Sequence, residues 1–290
     1  RRAHYRKAVT RGVDERQIIA PDQAVQLDRR VRQLFRGPFS TGARIKPSDE
    51  PICSIYAIMI DWSHVDSVFL DMDGTLLDLR FDNYFWREFI PERYATDQGL
   101  DQTKAREALL GLMRSLQGTL NWYCTDFWSR ELGLDVLALK TECRDLIQVR
   151  PGAKAFLQAL DASPLRVVLV TNAPPETIDL KMAETGIRPH FNQIISSHQF
   201  GCPKEDPDFW PRLAAIEPFV PKRTLFIDDN LSVLRAAQAY GIGHLFAVPN
   251  PDSGRPPAST EEFAGLSTFE DLTQRLHRTW NRSPSGSGGK

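Results

Sequence analysis

The chain has 290 residues, which is enough for one or two domains with a full hydrophobic core. Its formal net charge of −1 gives no general reason to expect nucleic acid or an acidic membrane surface as a partner. No apolar run approaches the roughly 20 residues that span a bilayer, and the four cysteines show no CxxC spacing. We therefore expect a cytoplasmic protein in a reducing compartment, with no membrane partner.

The two ends of the chain differ in composition from the middle. The first fifty residues carry twelve Lys or Arg against six Asp or Glu, and their pattern indicates at most a short helix near 23–35. We expect residues 1–58 to be a basic extension that is poorly ordered or lies upstream of the natural start, for which Met59 is a sensible position. A basic arm that binds nucleic acid is the alternative. Residues 281–290 are rich in Ser and Gly and predict a flexible tail.

The most informative segment begins with the apolar residues Val68 to Leu70, which predict a buried parallel strand. Asp71 and Asp73 follow, and because side chains at positions i and i+2 of a strand point the same way, the two can converge on one reacting atom. Gly74 then lets the chain turn sharply. Close carboxylates repel each other unless a cation or a shared proton holds them, and oxygen ligands suit a hard metal ion. The alternative is an ordinary polar turn.

About seventy residues separate this motif from Pro151, which is too many for an ordinary loop. Their apolar spacing predicts four helices, at 82–94, 101–116, 121–132 and 134–146. One apolar face of the second helix should carry Ala108, Leu109, Leu112 and Leu116.

Aromatic residues are concentrated in this helical segment. Most of them are expected to form its own core, because rings at helical spacing usually do. The sharper interpretation is that one or two line a site and stack on a planar substrate group such as a nucleobase. The candidates for that role are Phe81, Tyr84, Trp86 and Trp122.

Three later segments bring further polar groups to the ends of predicted strands. Thr171 and Asn172 end one apolar strand, and a hydroxyl with backbone N–H groups at such a junction can cradle a phosphate. Asp228 and Asp229 end another strand, and Lys204 lies in a charged loop between the two. Because parallel strands gather their ligands at the carboxyl edge, we expect these groups to converge.

Strands alternating with helices predict an α/β fold with a doubly wound, mostly parallel sheet and a Rossmann-like core. The predicted strands lie near 67–71, 167–171, 193–196, 224–228 and 244–247.

In combination, DxDGT, Thr, Lys and DD in this order resemble the motifs of the haloacid dehalogenase (HAD) superfamily phosphatases of subfamily I. The match covers roughly residues 61–280. The resemblance implies a HAD-like core formed by 59–78 and 151–280, with a helical cap, 79–150, inserted after the first strand. Such a cap would close over the site and exclude water.

The resemblance also assigns roles to individual residues. It implies that Asp71 is the nucleophile and Asp73 the general acid and base, and that Thr171, Asn172 and Lys204 bind the phosphate.

For the metal, the resemblance implies Mg²⁺ held by Asp71, the backbone carbonyl of Asp73 and Asp229, with Asp228 nearby or bound through water. One departure from the family pattern stands beside Lys204, because the more common form has Lys-Pro and here Glu205 follows.

At a closer level, the segments FDNYFWREFIPERY, NWYCTDFW, FGCPKEDPDFW and VPNPDSG resemble the bacterial GMP/IMP nucleotidases. That resemblance implies a magnesium-dependent 5′-nucleotidase whose substrate is a purine nucleoside monophosphate, GMP or IMP. The alternatives are a phosphatase for sugar phosphates or another small phosphomonoester, and a catalytically silent HAD binding module. Retention of Asp73 disfavours a dehalogenase, which has no alkoxide to protonate, and Lys140 lacks the supporting pattern of a phosphonatase lysine. The sequence leaves the oligomeric state open.

Overall fold

The computed structural model describes residues 60–266 and 268–280. The predicted basic extension, 1–58, and the predicted tail, 281–290, lie outside the described residues. The described cysteines, Cys124, Cys143 and Cys202, are free thiols. Among the described ranges, no helix is both long and apolar enough to cross a bilayer.

In the part of the chain that the structure describes, six parallel strands form one sheet in the order β3-β2-β1-β4-β5-β6. Their bounds are β1 Ser67–Leu70, β2 Arg166–Thr171, β3 Gln193–Ser196, β4 Thr224–Asp228, β5 His244–Ala247 and β6 Ala264–Gly265. The α/β prediction is confirmed, and each of the five predicted strands agrees to within one residue at either end. The sequence did not predict β6, because two residues are too short for a periodic signal.

Helices cover both faces of the sheet. Those after the first strand, which we call the helical insertion (residues 80–146), are α1 Arg80–Tyr84, α2 Ile90–Gln98, α3 Gln102–Leu116, α4 Leu120–Tyr123, α5 Thr125–Leu132 and α6 Val136–Glu142. A π-helical turn, Phe85–Phe89, joins α1 to α2, and a 3₁₀ turn, Arg144–Leu146, follows α6. The remaining helices are α7 Ala153–Asp161, α8 Pro175–Thr185, α9 Phe209–Ile216, α10 Leu231–Tyr240 and α11 Phe269–Trp280. Short 3₁₀ turns lie at Trp62–His64, Arg188–His190, Ser197–Gln199 and Pro221–Arg223.

The central strand β1 is buried on both faces, which explains its continuous apolar run. Val68 and Leu70 point into a cluster with α7, α8, α11 and the helical insertion, whereas Phe69 points into a cluster with α9 and α10. The strand order reverses between β1 and β4, and ligands of doubly wound sheets bind beyond the carboxyl ends of the strands at such a point. The fold therefore places the ends of β1 and β4 at the expected binding crevice.

The predicted helix over 82–94 lies within the continuous helical run 80–98, but its middle is a π-helical turn that the prediction did not include. Helix α1 passes through the π-helical turn before α2 begins. Pro91 lacks the N–H that would bond the carbonyl of Arg87 four residues earlier, and a wider turn accommodates that missing bond. The predicted helix over 121–132 is also interrupted, since Cys124 has extended backbone angles and its sulfur accepts a hydrogen bond from the N–H of Phe127 at 3.4 Å.

The predicted apolar face of α3 is wrong at two of its four residues. The structure buries Ala105, Leu109 and Met113, whereas Ala108 is exposed and Leu112 is 37% exposed. Leu109 is buried as predicted and Leu116 packs against the core, so Ala105 and Met113 take the place of Ala108 and Leu112 in the buried stripe. Both stripes satisfy helical periodicity, and only the neighbouring helices decide between them.

Gly243, which directly precedes β5, provides a test of how tightly the backbone is packed where the strands begin. A Cβ at this position would overlap the backbone carbonyl of Lys222, and the N–H of Gly243 donates to the carbonyl of Pro221 at 2.8 Å. We expect Gly243→Ala to lower the free energy of unfolding by about 1–3 kcal/mol, because backbone atoms must move. Denaturant unfolding measures this. The matched control is Gly111→Ala inside α3, where the nearest atom lies 3.9 Å away and stability should rise by up to about 1 kcal/mol. Equal effects in the two variants would contradict the packing argument.

Candidate active site

The centre of the site is the ammonium group of Lys204, which lies at the carboxyl edge of the sheet. Lys204 is 2% exposed, and its Nζ donates to a carboxylate oxygen of Asp71, to Asp228 at 2.7 Å and to the carbonyl of Val170 at 3.1 Å. These acceptors come from the ends of β1, β4 and β2. A single buried cation therefore joins three neighbouring strands at the point where their polar residues begin.

The carboxylates beside Lys204 are strongly perturbed. Burial raises the pKa of Asp71 to about 7, with Lys204 opposing the shift and Asp228 adding to it. Burial also raises the pKa of Asp228, again against the effect of Lys204. The pKa of Lys204 is raised because the two neighbouring carboxylates outweigh the effect of its burial. One ammonium thus faces more negative charge than it can neutralise.

A third carboxylate, that of Asp229, completes an acidic cluster. One oxygen from each of Asp71, Asp228 and Asp229 lies within 4.8 Å of the other two. Burial, Asp228 and Asp71 raise the pKa of Asp229 well above its ordinary value, and no hydrogen bond from the described residues reaches its carboxylate. Clustered carboxylate oxygens without enough donors suit a hard divalent cation, which favours their ionised forms. The donor set fits Mg²⁺.

The turn after β1 keeps this cluster open. Gly74 has φ +84°, and a Cβ there would lie 2.6 Å from the carboxylate carbon of Asp229. Its N–H donates to the carbonyl of Leu77 at 2.8 Å, which closes the turn. Glycine is therefore required here both by the left-handed backbone and by the close carboxylate.

Asp73 reaches the site from this turn and not from a strand, because β1 ends at Leu70. The strand-based argument for its direction is therefore wrong, although Asp73 does line the same cavity as Asp71. Its carboxylate accepts a hydrogen bond from the Nζ of Lys181 at 2.6 Å and is not part of the acidic cluster. Burial raises the pKa of Asp73 to about 6, with Lys181 opposing and Asp82 adding to the shift.

The end of β2 forms a loop that is fixed by its own side chains. The hydroxyl oxygen of Thr171 accepts from the N–H of Ala173 at 3.1 Å. The carboxamide oxygen of Asn172 accepts from the N–H of Lys204 at 2.8 Å, and its nitrogen donates to Glu205 at 2.9 Å. Thr171 and Asn172 both line the cavity.

Glu205, the departure from Lys-Pro, joins this loop to the helical insertion. One of its carboxylate oxygens accepts from Asn172, and the other accepts from the hydroxyl of Tyr123 at 3.0 Å. Burial and the nearby Glu205 raise the pKa of Tyr123, so the phenol remains a donor. A proline could not make either bond.

The cavity above these groups has a volume of about 490 Å³. The core lines it with the carboxylates and Lys204, and the insertion forms another part of its wall. Two of the four aromatic candidates, Trp86 and Trp122, line that wall together with Arg87, Arg114 and Gln117. Rings and hydrogen-bond donors on one wall can hold a planar polar group.

The other two aromatic candidates lie elsewhere. Phe81 is 1% exposed, and the ammonium groups of Lys181 and Lys140 lie 5.1 and 5.5 Å from its ring centroid. Tyr84 lines a separate depression with Asp78.

Sequence reasoning missed the charged residues that helices contribute. Lys181 of α8 and Asp82 of α1 are ion-paired at 2.6 Å, and Lys140 of α6 donates to Asp82 at 3.2 Å. One signal for Lys181 was available, because it lies on the same face of α8 as Ile178 and Met182, which are buried. A charge on an apolar face requires a buried partner.

Comparison with known proteins identifies relatives of this chain. Residues 65–241 match the family model of haloacid dehalogenase-like hydrolases. The chain is 42% identical over 219 residues to the GMP/IMP nucleotidase YrfG of Escherichia coli (strain K12), covering 76% of this chain and 99% of that protein. It is 30% identical to a phosphoglycolate phosphatase of Nitrosospira multiformis over 195 residues, 64% of this chain and 83% of that one.

The fold has solved counterparts. The crystal structure of a HAD phosphatase from Thermococcus onnurineus superposes with a TM-score of 0.60 at 21% identity, covering 73% of this chain and 98% of the other. The family match over more than half of the chain and the long alignment to the nucleotidase show that the chain belongs to the haloacid dehalogenase-like hydrolase family.

Proposed function

We propose that the protein is a magnesium-dependent phosphohydrolase that acts on nucleoside 5′-monophosphates, with GMP and IMP as substrates, through an aspartyl-phosphate intermediate. The observation that carries the proposal is that Asp71 and Lys204 line the same cavity as Trp86 and Trp122. The 42% identity to a GMP/IMP nucleotidase over nearly its whole length supports the choice of substrate.

In the proposed first step, a carboxylate oxygen of Asp71 attacks the phosphorus. The bond to the ribose 5′ oxygen breaks, and Asp73 gives that oxygen a proton, so the nucleoside leaves as a neutral alcohol. In the second step, Asp73 takes a proton from a water molecule that attacks the same phosphorus. The bond to Asp71 then breaks, and inorganic phosphate is released with both carboxyl groups restored.

The remaining polar groups hold the phosphoryl oxygens. Lys204 supplies positive charge beside Asp71, and Thr171 and Asn172 supply a hydroxyl and an amide at the end of β2, which together favour the charge that develops in transfer. Asp71, Asp228 and Asp229 would hold Mg²⁺, with the backbone carbonyl of Asp73. Bound Mg²⁺ supplies charge neutralisation that lets one anion approach another.

The helical insertion would act as a cap that excludes water from this chemistry. Trp86 and Trp122 would stack on the purine, which a glycolate or a simple sugar phosphate lacks. That difference favours the nucleotide over the small phosphomonoesters as substrate. Burying the ion pairs around Asp71 costs free energy, and a binding module without catalytic activity does not need them. They therefore argue against the silent module.

Substrate and metal dependence test the proposal directly. We expect the purified protein to release phosphate from GMP and IMP in preference to AMP, pyrimidine nucleotides, 3′-nucleotides, sugar phosphates and phosphoglycolate. Addition of EDTA should abolish this release and excess Mg²⁺ should restore it, because the acidic cluster needs a cation to accept a phosphate. Preference for a sugar phosphate or for phosphoglycolate would replace the nucleotide assignment. Release of phosphate from no substrate would favour the silent module.

The nucleophile has a separate test. Asp71→Asn should lower kcat for GMP by roughly four orders of magnitude or more, since the amide cannot form the intermediate. The melting temperature should not fall, because Lys204 keeps its ion pair with Asp228 and the substitution removes a carboxylate whose charged form is disfavoured by burial and by Asp228. Acid-quenched protein should carry covalent phosphate in the wild type only. Asp145→Asn, at an exposed carboxylate, is the matched control. Retention of more than about a tenth of the activity by Asp71→Asn would exclude Asp71 as nucleophile.

The contact between the insertion and Glu205 predicts a smaller effect. Tyr123→Phe removes a hydrogen bond to a charged acceptor, which is worth about 1.5–3 kcal/mol, and should lower kcat/KM for GMP roughly 10- to 100-fold. Tyr94→Phe is the matched control, since Tyr94 also lies on the insertion and packs against its core. Equal kcat/KM in the two variants would show that the Tyr123–Glu205 bond does not support catalysis.

A further inference from the structure

A chain of four charged side chains, two buried lysines and two partly exposed aspartates, runs from Asp73 into the helical insertion. The Nζ of Lys181 donates to Oδ1 of Asp73 and to Oδ2 of Asp82, both at 2.6 Å, and the Nζ of Lys140 donates to Oδ1 of Asp82 at 3.2 Å. We call these four residues the acid–lysine chain. The proposed mechanism uses only Asp73, so the other three members need their own explanation.

Burial of the two lysines costs free energy, so stability alone does not explain their presence. Lys181 is 1% exposed and Lys140 is 3% exposed, and replacing buried ion pairs by apolar residues is often neutral or stabilising. Rings surround both ammonium groups, with centroids of Phe81 5.1 Å from Lys181 and of Phe85 5.0 Å from Lys140. Close packing of this kind leaves little freedom for either lysine to change partners.

The hydrogen bonds distinguish the two oxygens of Asp73. Lys181 holds Oδ1, whereas Oδ2 accepts no hydrogen bond from the described part of the chain. The Asp73 side chain is 23% exposed, and the residue lines the cavity beside Asp71. One oxygen is therefore anchored, and the other is free to meet a reacting group.

We propose that Lys181, itself fixed by Asp82, is a positioning residue that fixes Asp73 so that its free oxygen faces the leaving group of the substrate. This inference rests on the proposed function. When the phosphorus–oxygen bond of the ester breaks, the proton on Oδ2 of Asp73 passes to the departing oxygen. Lys181 keeps all its protons and acts only through Asp73, and Asp82 fixes Lys181 from the insertion, so the orientation of the acid depends on the insertion being in place.

Two synthetic esters with one aromatic ring each separate this role from a general structural one. Benzyl phosphate releases a strongly basic alkoxide that needs a proton, as the ribose 5′ oxygen does, whereas p-nitrophenyl phosphate releases a weakly basic phenolate that needs none. For both esters, kcat/KM depends only on the steps up to cleavage of the ester bond. The later attack of water on the intermediate therefore does not affect the comparison.

For Lys181→Met in the full chain with Mg²⁺, we expect kcat/KM for benzyl phosphate to fall by about 100-fold and that for p-nitrophenyl phosphate by less than about threefold. Lys181→Arg, which keeps a cation, should recover part of the selective loss. Lys154→Met, at an exposed lysine, is the control for loss of a lysine elsewhere. Equal losses on the two esters would show that Lys181 is only structural, and no loss on either would also overturn the inference.

If Lys181→Met fails to fold, Asp82→Asn gives the answer. The amide keeps the size of the side chain and weakens the hold on Lys181, so a smaller loss, again selective for benzyl phosphate, is expected. An unselective loss would overturn the inference.

The inference and the proposed function can fail separately. Poor hydrolysis of GMP and IMP together with a selective effect of Lys181→Met would remove the nucleotide assignment and leave the positioning role intact. Good hydrolysis of GMP with equal losses on the two esters would do the reverse. If the wild type cleaves no phosphate ester at all, both are overturned.

Discussion

The site depends on one buried ammonium group that holds mutually repelling carboxylates together. Parallel pairing sets Leu70 of β1 against Ile227 of β4, so the residues that follow, Asp71 and Asp228, lie side by side. Two carboxylates that lie side by side and are shielded from water are unstable in their charged forms unless a cation lies between them. Lys204 provides that cation from the loop after β3. Removal of such a partner typically costs about 3–5 kcal/mol, because it leaves an unpaired buried charge.

The same arrangement occurs a second time in the cavity. Lys181 lies between Asp73 and Asp82 as Lys204 lies between Asp71 and Asp228. The two lysines differ in origin, since one comes from a loop and the other from α8, the helix that follows β2. Each ammonium restrains one of the two carboxyl groups to which the mechanism gives a direct role. Each ammonium also opposes the rise in pKa that burial causes in its carboxyl group.

Sequence reasoning succeeded where the determining interactions are local. Strands β1, β2 and β4 were predicted because apolar runs end in polar residues, and parallel topology alone then brings Asp71, Thr171 and Asp228 to one edge. These polar side chains lie together because each one stands at the carboxyl end of its strand. Glu205 was noticed as a departure from a pattern, but its partners could not be inferred.

The residues that sequence reasoning missed are brought together by tertiary packing. Asp82 and Lys181 are 99 positions apart and come from different helices, and no local signal links them. Prediction of the buried face of helix α3 is limited in the same way. Two apolar stripes fit its periodicity, and contacts with the neighbouring helices determine which one is buried. The π-helical turn before Pro91 and the interruption at Cys124 depend on single atoms, to which periodicity is insensitive.

The insertion and the catalytic core share one hydrophobic cluster, and they also meet at charged groups of the site. Asp82 pairs with Lys181 beside the general acid, and Tyr123 pairs with Glu205 beside the loop that ends β2. Without the insertion, Lys181 would keep only Asp73 as a side-chain partner and Glu205 would keep only Asn172. A buried cation with two carboxylate partners is better compensated than one with a single partner, so the insertion stabilises this arrangement of charges. Packing of the insertion therefore helps to hold the charged groups of the site in place.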